Sequence, residues 1–203
     1  MAISHEAITL PEVEGGFRCI AADIPWGQAV RGGKKSAGKH NPVMTVKELS
    51  RIPVAQAAAK DAWLFLWGHW THLPEAIELM ASWGFTYSSN FSLWAPLKVK
   101  EAGSLMIDAR DSFHVGRGRT TLKTTVPFLL GRRGSPKRLS AGIQELVVAP
   151  WRDFGRKPDE VYDRVEAFCE GPRLELFARA DRDGWYTAGT MTTALNNRWK
   201  GVF

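Results

Sequence analysis

The sequence predicts an α/β fold: a sheet of short buried strands with helices on both faces. Three observations carry this. Apolar runs such as Ala62–Trp67 are continuous rather than alternating, as in strands covered on both sides. Segments with helical spacing fall between these runs. Strand and helix patterns alternate along the chain without an internal repeat, the order that builds a covered sheet. At about 150 residues per domain, the 203 residues predict a single domain over 1–203, long enough to bury a real core.

Phe17–Ala22 is a short apolar strand. Thr45–Ala59 has helical spacing, with Thr45 as N-cap and Glu48 three residues on, the capping-box pattern. Ala62–Trp67 is a buried strand. Pro74–Trp83 is an amphipathic helix stopped by Gly84. Thr86–Trp94 alternates like a strand, and Val126–Leu130 and Leu146–Ala149 are two more buried strands. Pro158–Cys169 is a helix with Pro in its first turn and acids following, as the macrodipole favours. Leu174–Ala178 and Trp185–Ala188 complete the strands. The breaks at 27–41, 99–119 and 131–138 read as loops of one domain. The first holds four Gly, four basic residues and no acid, and is expected to be a mobile basic loop.

The composition, 44% hydrophobic and 24% charged, excludes collagen-like, coiled-coil and wholly disordered chains. No apolar run approaches the ~20 residues that span a bilayer. The N-terminus has neither a basic n-region nor an apolar h-region, so no signal peptide is expected. Two cysteines, Cys19 and Cys169, make neither a disulfide framework nor a zinc site alone, so no metal is expected, and a reducing cytoplasmic compartment is. Cys19 reads as a small buried apolar residue. The net charge of +6 favours a polyanionic partner. Nine Trp can build a core or stack on bases; Trp63, Trp67, Trp83 and Trp94 read as core. His69 and His72 are spaced i,i+3, but no third ligand is near in sequence, and they read as rim histidines.

The sharpest signal is Asp23-Ile24-Pro25-Trp26, directly after the first buried strand. In an open α/β sheet the carboxyl ends of strands hold ligands. An exocyclic amine on a purine is a poor nucleophile, because its lone pair is delocalised into the ring. A carboxylate on Asp23 and the Ile24 carbonyl would each accept one of its N–H bonds. Both become better acceptors as positive charge develops on nitrogen, which favours the transition state. Pro25 restricts Ile24 to extended conformations and aims that carbonyl. Trp26 would stack on the base, worth about 1–3 kcal/mol. A strand-end turn with Asp as turn former and Trp in the core is the alternative reading of the same four residues.

This stretch resembles the Asp-Pro-Pro-Trp signature of the N6-adenine methyltransferases of the MT-A type, the family that includes the catalytic subunit of the messenger-RNA adenosine methyltransferase. The likeness continues in order through Lys39–Val54, Asp61–Gly68, Leu73–Phe85, Phe128–Pro136 (FLLGRRGSP), Gly155–Glu166 (GRKPDEVYDRVE) and Arg173–Trp185 (RLELFARADRDGW), over roughly 17–191. Several blocks in order are specific where four residues alone are weak.

The resemblance implies S-adenosyl-L-methionine as methyl donor and a Rossmann-like methyltransferase sheet, with the catalytic motif ahead of the main cofactor-binding segment. It places Asp23 as the amine-binding acid and Trp26 as the stacking aromatic. It places Lys157 against the methionine end of the cofactor, where a carboxylate needs a cation. Glu175 or Arg179 would hydrogen-bond ribose or methionine groups. Leu176 and Phe177 would flank the adenosine or simply be core, and Thr190 would lie near the ribose. Arg31, Lys34, Lys35 and Lys39 after the motif, and Arg132, Arg133, Lys137 and Arg138 in the far loop, are expected to contact nucleic-acid phosphate; two solvated loops are the alternative.

The sequence departs from the family at Ile24, where the signature has Pro, and in Gly116–Val126, where Leu122, Thr125 and Val126 stand in place of substrate-facing residues. The compact chain resembles the bacterial and phage branch, so DNA is the expected substrate, with RNA open. A non-catalytic nucleic-acid-binding subunit is the reading that the altered Gly116–Val126 segment motivates. Either a homodimer or a heterodimer is compatible with the sequence.

Overall fold

The structure, a computed structural model, describes residues 8–26, 44–104, 106–108, 111–116, 120–152 and 156–189. Seven strands form one sheet in the order β5-β3-β4-β2-β1-β6-β7. They are β1 (Phe17–Ala22), β2 (Ala58–Trp67), β3 (Thr86–Leu97), β4 (Val126–Arg133), β5 (Leu146–Pro150), β6 (Arg173–Leu176) and β7 (Trp185–Ala188). Only β4 runs antiparallel to its neighbours β2 and β3; the other pairings are parallel.

Alternate residues of each strand feed two cores. Ile20, Ala22, Leu64 and Leu66 pack with Leu49, Val54, Leu79 and Met80. These last come from α1 (Val46–Leu49), α2 (Val54–Ala57) and α3 (Leu73–Ser82). On the other face, Cys19, Ala21, Phe65 and Trp67 pack with Val161, Val165 and Phe168 of α4 (Asp159–Phe168). Helices therefore cover both faces, as the continuous apolar strands required. Trp67, Trp83 and Trp94 are buried as expected, each with 1% exposure, whereas Trp63 is only partly buried.

Three strands are longer than the sequence reading expected: β2 begins at Ala58, β3 runs on to Leu97, and β4 continues through Arg133, so that 131–133 is strand rather than loop, paired with β2. Two further elements differ for a local reason. The single helix over Thr45–Ala59 is two short ones. The capping box forms, with Thr45 and Glu48 bonding each other's backbone N–H. Pro53 then interrupts the segment, because it has no N–H to donate and disfavours helical geometry in the residue before it. The chain is already in β2 from Ala58. Also, β6 stops at Leu176 instead of Ala178, because Phe177 adopts a left-handed backbone, φ 61.

Gly16 shows how tightly this sheet is joined. Its φ is +76, and a Cβ there would lie 2.7 Å from the Ala59 backbone nitrogen. Only glycine fits both the conformation and the approach.

Candidate active site

The chain leaves β1 toward β2 on one side and returns through α4 to β6 on the other. The strand order reverses at β1, and the crevice beyond the carboxyl ends of β1 and β6 is where such sheets place ligands. Asp23 is the first residue past β1. Its N–H donates to the Leu176 carbonyl at 3.1 Å, and the residue is 7% exposed.

Both oxygens of Asp23 meet cations. Lys157 Nζ lies 2.6 Å from Oδ1, and Arg179 Nε lies 2.8 Å from Oδ2. Burial pushes the Asp23 pKa up, but the two cations outweigh it and hold the carboxyl below its usual range. A buried carboxylate persists only with such partners. Lys157 also lies 5.2 Å from the centroid of the Trp67 ring, an additional attraction. The left-handed turn at Phe177 sends the chain back so that Arg179 reaches Asp23. Such a conformation costs about 1–3 kcal/mol at a non-glycine residue, and the Phe177 N–H bond to the Ala188 carbonyl, 2.9 Å, helps to hold it.

The rest of the motif is fixed by backbone bonds. The Ile24 side chain is core, 4% exposed, and its carbonyl accepts the Trp26 N–H at 2.8 Å. One lone pair of that carbonyl is thus engaged and one remains. The Pro25 carbonyl accepts the Met44 N–H at 3.1 Å. The Trp26 indole N–H donates to the Trp67 carbonyl at 3.1 Å. Its ring lies parallel to His72, with 5.7 Å between centroids and 5° between planes.

Glu175 is buried, and the Tyr162 hydroxyl donates to its Oε1 at 2.6 Å. Burial raises its pKa to about 7; the Tyr162 bond opposes this only in part, and the Asp23 charge adds to it. Asp23, Lys157, Tyr162, Glu175 and Arg179 line a recess open to solvent. At its rim Asp159 meets three guanidinium groups, those of Arg152 at 2.6 Å, Arg182 at 3.0 Å and Arg156 at 3.2 Å. Burial raises the Asp159 pKa, but these bonds prevail and lower it to about 2.

The structure thus brings together Asp23, Pro25, Trp26, Lys157, Glu175 and Arg179. Leu176 and Phe177 are packed in the core on the α3 side, away from the recess lining. Lys157 meets the motif's own acid, a pairing that the resemblance does not imply. Thr190, Arg31, Lys34, Lys35 and Lys39 lie outside the described residues. Arg132 and Arg133 are not brought to the site. They pair in register with Trp63 and Ala62, in the middle of β2, whereas Asp23 follows the rung where Ala22 meets Leu66. Because β4 is antiparallel to β2, its end emerges at the opposite edge of the sheet. Arg133 is further tied to the Ala55 carbonyl at 2.5 Å. The loop holding Lys137 starts from that same edge, and the Lys137 carbonyl accepts the Trp63 indole N–H at 3.2 Å.

Sequence reasoning missed Tyr162, Asp159, Arg156 and Arg182. For Tyr162 a signal existed: it shares the buried face of α4 with Val161, Val165 and Phe168, and a hydroxyl on such a face needs a partner. The two rim histidines have separate tasks. His69 caps a 3-10 turn over Trp70–His72 by accepting the Thr71 N–H, while His72 stacks on Trp26.

The sequence model of the MT-A70 family matches residues 17–191. Among known proteins, the N(6)-adenosine-methyltransferase catalytic subunit METTL3 of Homo sapiens is 26% identical over 188 residues, covering 90% of this chain and 29% of that protein. The N(6)-adenosine-methyltransferase MT-A70-like protein of Drosophila melanogaster is 25% identical over 187 residues, 90% of this chain and 28% of that protein. The type II methyltransferase M.MunI of Mycoplasma sp is 28% identical over 153 residues, 74% of this chain and 59% of that protein. The chain therefore spans less than two thirds of the length of each of these relatives.

Proposed function

The chain belongs to the MT-A70 family, and on that footing we propose that it transfers a methyl group to the N6 amine of adenine, with DNA as the substrate. The observation that carries the proposal is Asp23, a buried and ionised carboxylate at an open recess, three residues from an indole fixed in orientation.

S-adenosyl-L-methionine is the cofactor that membership implies, and the donor set of the recess fits it. Lys157 and Arg179 suit the methionine carboxylate, and Glu175 suits an ammonium or a ribose hydroxyl. When bound, this cofactor supplies a methyl group already activated on a sulfonium sulfur. The residues of the chain then have the task of positioning an in-line approach by nitrogen. Asp23 accepts one N–H of the amine through a lone pair that Lys157 and Arg179 leave open. Its charge is felt more strongly as the nitrogen becomes positive, so it lowers the barrier rather than the ground state. The second lone pair of the Ile24 carbonyl takes the other N–H. Trp26 presents a flat face for the adenine ring, braced by His72 and by its bond to the Trp67 carbonyl. Asp23 holds the surplus proton in its hydrogen bond until water removes it. A duplex would have to flip the adenine out, at a cost of a few kcal/mol.

The net charge of +6 supports a polyanionic substrate, and the compact chain's likeness to the bacterial and phage branch is what favours DNA. RNA is the second reading, favoured by relatives whose names specify adenosine. The test is nucleoside mass spectrometry on DNA and RNA from cells that lack adenine methylation and express this chain or its Asp23→Ala variant. N6-methyladenine in DNA, absent with the variant, is the expected result. The mark in RNA alone keeps the chemistry and overturns the substrate. No mark in either, with folded protein, overturns the proposal.

A further inference from the structure

Trp70 is 37% exposed, in contrast to the three tryptophans buried at 1%. It opens the 3-10 turn Trp70–His72 that follows β2, and so lies at the sheet edge that carries Asp23. Two residues on, His72 stacks on Trp26. The indole N–H of Trp70 donates to Thr125 Oγ1 at 3.0 Å. That bond fixes the edge of a ring whose exposure no packing requirement explains. Lys123 stands two residues before Thr125, and its ammonium donates to Thr121 Oγ1 at 2.8 Å. An exposed, oriented indole, with a cation two residues from its hydrogen-bond partner, is a sequence-tolerant grip on a nucleic-acid strand, because every base has a face to stack and every nucleotide a phosphate.

We infer that Trp70 stacks on a base neighbouring the target adenine in a single or locally opened strand, with Lys123 near the adjoining phosphate. This rests on the proposed reading of Asp23 and Trp26 as the adenine site, and extends it to the flanking nucleotide. It also supplies the site with a strand contact, a role Arg132 and Arg133 cannot take from the far edge.

The test uses the whole chain and short single-stranded oligonucleotides, in DNA and RNA versions. Each carries 2-aminopurine on one side or the other of an adenine. Binding to the wild type should quench the fluorophore on one side. Trp70→Ala should abolish that quenching and weaken binding about five- to a hundredfold, with its thermal midpoint close to wild type. Trp70→Phe should keep most of the affinity, since it keeps the ring but not the N–H. Equal loss in both variants would overturn the inference, because the bond to Thr125 would then be what matters. So would unchanged binding by Trp70→Ala, absence of quenching on either side, or no binding by the wild type. Quenching and binding are read without turnover. A wild type that quenches through Trp70 yet leaves no methyl mark separates failure of the catalytic reading from failure of this one.

Discussion

Lys157 Nζ lies 2.6 Å from Asp23 Oδ1, although 134 residues separate them in the chain. With Arg179 on the other oxygen, the carboxylate is held charged in a site it could not occupy alone. Asp23→Asn keeps the shape but leaves two part-buried cations without their anion. Removing one partner of a buried pair costs about 3–5 kcal/mol, so the thermal midpoint should fall. The single-turnover methylation rate should drop at least about a hundredfold, the scale for losing one transition-state electrostatic partner. Calorimetry and single-turnover assays at saturating substrate check the two effects separately.

Glu175 gives stability a pH dependence of known sign. Its folded pKa, about 7, lies above the 4.5 of the free side chain. The folded protein thus keeps a proton that the unfolded chain has lost. This favours the fold at acid pH, and the contribution is lost as pH climbs from about 4.5 through about 7. The total change is about 3 kcal/mol. Urea unfolding at pH 5 and pH 8 should show it as the difference between wild type and Glu175→Gln, whose neutral amide cannot titrate.

Gly15 and Gly16 share a φ of 76, but nothing lies within 4 Å of a Cβ on Gly15, whereas one on Gly16 meets the Ala58–Ala59 backbone. Gly15→Ala should cost only the left-handed penalty, about 1–2 kcal/mol. Gly16→Ala should cost clearly more, because backbone rather than a pliable side chain must yield. Midpoints of urea denaturation for the two variants settle the order.

Arg132 projects from the sheet edge opposite Asp23. Arg132→Ala should leave oligonucleotide affinity and the slope of its salt dependence unchanged. A phosphate contact there would instead reduce that slope by about one. Titrations at several salt concentrations distinguish these outcomes.

The sequence by itself determined the strands, the covered sheet and the place of Asp23 and Trp26 just past the first strand. Continuous apolar runs are buried wherever they lie, and a short motif after a strand falls at the strand's carboxyl end in any such sheet. The capping box at Thr45 formed for the same local reason, although Pro53 broke the helix beyond it. Only the tertiary structure decided who meets Asp23. Lys157 reaches it because the chain crosses from β5, at one edge of the sheet, to the start of α4, which packs over β1, and Arg179 because Phe177 turns left-handed at the strand end. It also placed Arg132 and Arg133 away from Asp23, since the direction of one antiparallel strand sets the edge at which its basic end emerges. Charge in a sequence carries no address. Strand direction and register supply one, and these depend on contacts between residues far apart in the chain.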